Sequence, residues 1–131
     1  MIENNSFDIN PDRLSPLALA FIGDTVFDLL VRGQLIAGCE TPVKEMHRAA
    51  SAMVCARAQS VGVKKILPVL TQEEHSVFLR GRNSHPGAVP KNQTSADYHY
   101  ATGLESLFGW LYLKNRFDRI KELFSIITVS D

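Results

Sequence analysis

A chain of 131 residues with 45% hydrophobic content can bury one compact core and has no room for a second module of comparable size. Fourteen Lys and Arg balance fourteen Asp and Glu, so the chain is no general polycation, and an anionic partner has to be met by local charge asymmetry. No apolar stretch reaches the ~20 residues of a membrane span, and Met1-Ile-Glu-Asn-Asn-Ser-Phe-Asp lacks a basic region followed by an apolar run, which points away from the membrane and toward a soluble, cytoplasmic protein.

Residues 1–13 are polar and read as a flexible arm. Ser15-Pro16 is a helix start, a hydroxyl cap followed by proline in the first turn, and Gly38 is a stop. The intervening helix is apolar almost all round, which predicts a central position with neighbours on more than one side. Thr41-Pro42 repeats the start signal. Val43, Met46, Ala50, Met53, Val54 and Ala58 then form an apolar stripe, predicting one amphipathic helix to about Val61.

A short helical piece follows over 63–70, and Thr71-Gln-Glu-Glu74 reads as a capping box opening a helix to about Arg82. Asn83-Ser-His-Pro-Gly-Ala-Val-Pro-Lys-Asn-Gln-Thr-Ser95 is the one long irregular segment, and loops of this length in compact domains are usually functional or disordered. Ser95 is expected to cap a helix running to about Asn115. A last helix over 117–128 places Ile120, Leu123, Phe124 and Ile127 on one face. With no alternating strand pattern and no repeat, the chain reads as an all-α single domain over 14–128.

Cys39 and Cys55 have no metal-ligand spacing, and a chain with this core needs no disulfide scaffold, so both read as reduced thiols. Residues 1–31 hold five acids against one base, whereas residues 44–91 hold eight bases against three acids. The second region is either a set of solvated helix faces or a surface for an anion.

Two lone carboxylates interrupt the two most apolar stretches: Asp24 within 17–31 and Glu105 within 100–113. An ionised carboxylate among packed side chains costs several kcal/mol, on the order of a domain's stability margin, unless a countercharge, hydrogen bonds or a metal compensates. Ala20 and Asp28 share a helical face with Asp24, and Ala101, Thr102 and Gly109 surround Glu105. Small residues there would let the two helices approach and leave room for an ion. Two oxygen ligands make an open site that suits Mg²⁺, which keeps several waters and commonly shares a substrate phosphate, and phosphodiester hydrolysis is the natural chemistry. The alternative is structural, with Asp24 capping a neighbouring helix and Glu105 paired to an arginine.

Phe21-Ile-Gly-Asp-Thr-Val-Phe27 resembles the signature helix of the ribonuclease III family, and Leu104-Glu-Ser-Leu-Phe-Gly-Trp-Leu-Tyr-Leu113 is similar to that family's second acidic motif. Arg80-Gly-Arg-Asn83, Pro90-Lys-Asn92 and Tyr100-Ala-Thr-Gly103, with the spacing, resemble the short Mini-ribonuclease III subfamily more than the full-length enzymes, over about 14–127. The resemblance implies a Mg²⁺-dependent homodimeric endoribonuclease, with Mn²⁺ as a substitute ion, that cuts double-stranded RNA to leave 5′-phosphates. Asp24 and Glu105 would be its catalytic and metal-binding residues. It further implies a 23S ribosomal RNA precursor as substrate, a ribosomal-protein helper as a possible partner, and no double-stranded-RNA-binding domain. Full-length relatives carry acids at the positions of Ala20 and Thr102, so this chain has the reduced acid set of the short subfamily.

Duplex RNA is bound through phosphates, 2′-hydroxyls and shape, which calls for cations and donors along a face. Arg80, Arg82, Asn83, Lys91, Asn92, Gln93 and Thr94 around the long loop meet that need, with Lys44, Arg48, Arg57, Lys64 and Lys65 as an extension or, for Arg48 and Arg57, as internal ion-pair partners. His85 and His99 are candidates for acid–base work that metal-bound water makes unnecessary. Phe21, Phe27, Trp110 and Tyr112 belong to the core or to a dimer patch, and two-fold cutting of a duplex implies an isologous interface around the signature helix. The rival to catalysis is an inactive RNA-binding or ribosome-associated module of the same fold.

Overall fold

The computed structural model describes residues 7–38, 42–84 and 87–129. Among them are six helices and no strand: α1 (Pro16–Gly38), α2 (Val43–Val54), α3 (Ala56–Ile66), α4 (Gln72–Arg82), α5 (Ser95–Leu113) and α6 (Phe117–Ile127). The all-α expectation holds. Cys39, Thr41 and His85 lie outside the described residues, as does the start of the expected arm. Of that arm, Pro11–Arg13 form a 3-10 turn that docks on the domain: Trp110 Nε1–H donates to Asp12 at 2.9 Å and Lys114 Nζ at 2.8 Å.

The central helix is α5, not α1. Twelve α5 residues are buried, and α1, α3, α4 and α6 pack around it. α1 buries Leu19, Val26, Phe27 and Val31 but exposes Leu17, Leu29, Ile36 and, at 85%, Phe21. An apolar circumference is therefore not the same as burial: the outer face of α1 has no covering helix within the described residues.

Glycines fix the α1–α5 contact. A Cβ on Gly23 would lie 1.7 Å from the Glu105 carbonyl oxygen, and one on Gly109 would lie 2.0 Å from that of Leu19. The two backbones touch at these points, as the small residues around both acids predicted. Ser106 Oγ, 2.8 Å from the Pro16 carbonyl, ties α5 to the first turn of α1.

The helix expected over 42–61 is broken at Cys55, whose backbone is extended (φ −66°, ψ 158°). α3 then runs to Ile66 and a 3-10 turn covers Leu67–Val69. Apolar periodicity missed the break because α3 points the polar Gln59 and Ser60 inward with Ala56, Val63 and Ile66, while Val61 faces out. α4 matches its capping box: Thr71 Oγ1 accepts from Glu74 N–H and Glu74 accepts from Thr71 N–H. The cap of α5 is Thr94, one residue before the expected Ser95. α5 stops at Leu113, and Asn115 follows with φ 60°, the left-handed geometry of a helix terminus that asparagine tolerates.

Candidate active site

α1 and α5 cross where Gly23 meets Glu105, so Asp24, the next residue, is carried to the mouth of a cleft of about 340 Å³ that Glu105 also lines. The expectation that both acids are buried is only partly met. Asp24 is exposed and Glu105 is half-buried. The apolar neighbours of Asp24 in sequence lie on other faces of α1, so its charge remains in contact with water. Glu105 bears the electrostatic burden: burial pushes its carboxyl up to about 8, and the Asp24 charge and a hydrogen bond between the two acids add to the rise, while Gln59 opposes it. Neither arm of the structural alternative describes Glu105, whose carboxyl faces Asp24 and Gln59. The buried acid that does pair with an arginine is Glu74, which Arg119 contacts at 2.8 and 2.9 Å.

Ala20 and Thr102 line this same cleft. Ala20 adds no polar atom, and the Thr102 hydroxyl donates to the Tyr98 carbonyl at 2.9 Å. Among the described residues no third His, Cys, Asp or Glu completes a ligand cluster. A carboxyl whose proton affinity is raised by burial and by a facing carboxylate needs a proton or a cation beside it, so the pair fits a divalent ion. With two protein oxygens the ion would take its remaining ligands from water and phosphate, as Mg²⁺ does.

The predicted RNA contacts do not line the cleft. Arg80 is exposed on α4 beside Pro16, His75 and Asn83. Arg82 donates from Nε to Asn83 at 3.1 Å and lies 5.8 Å from the Tyr100 ring centroid, with Lys64 Nζ 4.7 Å from the same ring. Lys91, Asn92 and Gln93 are exposed on the loop before α5, Asn92 with φ 72°. Thr94 Oγ1 is occupied as the α5 cap, accepting from Asp97 N–H. His99, half-buried, has a buried Nδ1 without a partner and does not line the acid cleft. Arg48 and Arg57 are exposed, and the internal arginine is Arg119. Gln59 and Tyr98 were missed from sequence. Tyr98 was recoverable as the residue seven before Glu105, on the same face two turns away, whereas no apolar periodicity marks Gln59 as inward-facing.

Residues 17–116 match the model described as the Ribonuclease III domain. The chain is 42% identical to the Mini-ribonuclease 3 of a Thermoanaerobacter species over 86% of this chain and 80% of that protein. It is 40% identical to the Mini-ribonuclease 3 of Brevibacillus brevis over 87% and 85%. A crystal structure of a Fusobacterium nucleatum protein superposes with a TM-score of 0.79 at 30% identity, covering 88% of this chain and 92% of that one.

Proposed function

Because this chain belongs to the ribonuclease III family and is an endoribonuclease, we propose that it hydrolyses phosphodiester bonds of double-stranded RNA with a divalent ion held by Asp24 and Glu105. The observation that carries this reading is the meeting of those two acids, from separate helices, at one open cleft. Held by Asp24 and Glu105, Mg²⁺ or Mn²⁺ would supply a water of lowered pKa and a countercharge for the phosphate oxygens.

The remaining work belongs to the chain. Glu105 has to surrender its proton before it can act as a ligand, so ion binding and protonation compete at this carboxyl. Asp24, exposed at the rim, offers its oxygens to an ion without a desolvation cost of the same size. Ala20 and Thr102 leave space beside the pair, and the site works with two acids. The Gly23–Glu105 backbone contact keeps both carboxylates in register, because neither helix can slide without a clash. Products with 5′-phosphates follow from attack that releases the 3′-oxygen, and the physiological substrate in this reading is the stem of a large-subunit ribosomal RNA precursor in the cytoplasm.

Arg80, Arg82, Asn83, Lys91, Asn92 and Thr94 are the proposed RNA contacts. Since they lie outside the cleft of their own chain, they would grip duplex at a distance from the cut. A homodimer built around α1 is supported by the exposed Phe21 at the cleft's edge, an apolar side chain with no cover in the single chain. The test is a long RNA duplex incubated with the wild type and with Asp24→Asn, with and without Mg²⁺. Cleavage only by the wild type, and only with the ion, is expected. Cleavage that persists in Asp24→Asn would overturn the assignment of the site.

A further inference from the structure

α3 brings one strongly polar buried side chain, Gln59, to Glu105. Gln59 is 2% exposed, within a helix that packs along α5. Three buried side-chain atoms lack hydrogen-bond partners among the described residues: Gln59 Nε2, Ser60 Oγ and His99 Nδ1. Of these, Gln59 is the one that faces Glu105, near enough to favour its anion but short of a formed hydrogen bond. A buried primary amide carries two N–H donors, and leaving them unmet costs more than an apolar side chain of the same shape would. An orphaned donor aimed at a half-buried carboxylate has its natural acceptor within one side-chain adjustment.

We propose that Gln59 is a positioning residue for the metal-binding pair: its Nε2–H donates to the Glu105 carboxylate and fixes the orientation in which Glu105 meets the ion. The inference rests on the reading that Asp24 and Glu105 hold a divalent cation. Outer-shell donors of this kind orient ligands, and their loss typically weakens metal binding by roughly 10–100-fold. The role matters more here than in a site with four acids, because Ala20 and Thr102 contribute no carboxylate that could steady the ion if Glu105 turned away.

The experiment is Mn²⁺ titration of the full chain by calorimetry, with the metal-free thermal midpoint measured in parallel, for the wild type, Gln59→Leu, Gln59→Met, Asp24→Asn and Glu105→Gln. Gln59→Leu and Gln59→Met are expected to bind Mn²⁺ roughly tenfold or more weakly while their metal-free midpoints stay level or rise. Asp24→Asn and Glu105→Gln should lose the ion. Unchanged Mn²⁺ affinity in both Gln59 variants, with the acid variants still losing it, overturns the inference and leaves the metal reading intact. A drop in metal-free midpoint that accompanies the affinity loss assigns Gln59 to the fold and also overturns it. Mn²⁺ binding that survives Asp24→Asn and Glu105→Gln overturns the metal reading and this inference together.

Discussion

Glu105 illustrates how one carboxyl can report on a whole site. Its proton is held by burial first and by the facing Asp24 second, to a midpoint of about 8 against an ordinary 4.5. In the metal-free protein the folded chain therefore keeps a proton that the unfolded chain has already lost between pH 4.5 and about 8. The stability contributed by neutral Glu105 is complete below that window and lost as pH rises through it. Thermal midpoints of metal-free protein followed across this range should fall, and Glu105→Gln should flatten the decline. Saturating Mg²⁺ should flatten it as well, by binding the ionised form. A decline of the same size in Glu105→Gln would show that another group is responsible.

Between elements, two contacts carry predictions. Gly23→Ala pushes a methyl into the Glu105 carbonyl, and because backbone is struck on both sides α1 must lift away from α5. A loss of about 3 kcal/mol or more in urea unfolding is expected, at the upper end of overpacking costs, together with loss of cleavage as the acids separate. Glu74 joins three elements at once. It closes the Thr71 capping box at the start of α4 and accepts from Arg119 on α6, which also contacts the Val69 carbonyl and Glu122. Burial works against the Glu74 anion, but Arg119 and Thr71 more than offset it and hold its carboxyl below the usual range. Arg119→Ala strands that charge, and about 3–5 kcal/mol of destabilisation is expected from the loss of a partner in a buried pair. The sign of the pH dependence is opposite to that of Glu105: the stability from Glu74 is present above pH 4.5 and lost as pH falls below it. Chemical denaturation of Arg119→Ala near neutral pH measures the first effect, and an acid titration of the wild type measures the second.

For the whole molecule, the feature to explain is the uncovered outer face of α1, where Phe21 stands 85% exposed at the edge of the acid cleft with Leu17 beside it. In the proposed dimer this face is the isologous interface, so one substitution is applied twice across the two-fold axis. Phe21→Asp is expected to halve the mass seen by light scattering and to reduce duplex cleavage at least tenfold, with helical circular dichroism unchanged because Phe21 takes no part in the core. A variant that keeps the wild-type mass would remove α1 as the interface.

Local chemistry was sufficient for most of the helices. Ser15-Pro16, the Thr71–Glu74 box and the 117–127 apolar face announced their elements because capping and periodicity act over a few residues of chain. The acid pair was legible as well, through Phe-Ile-Gly-Asp and Glu-Ser-Leu-Phe-Gly. What no window of sequence contained was which helix would be enclosed, where α2 would part from α3, and which polar groups would turn inward. α1 and α5 are both apolar around their circumference, and only the packing of α1, α3, α4 and α6 around α5 decided that α5 is central while α1 keeps an exposed face carrying Asp24. Nothing in the local sequence distinguishes Gln59; its place beside Glu105 comes from the packing of α3 against α5. The physical reason is the same in each case: a residue's own neighbours determine its helix, but its dielectric surroundings and hydrogen-bond partners come from residues distant in the chain, and these decide whether a carboxylate is a solvated charge or part of a site.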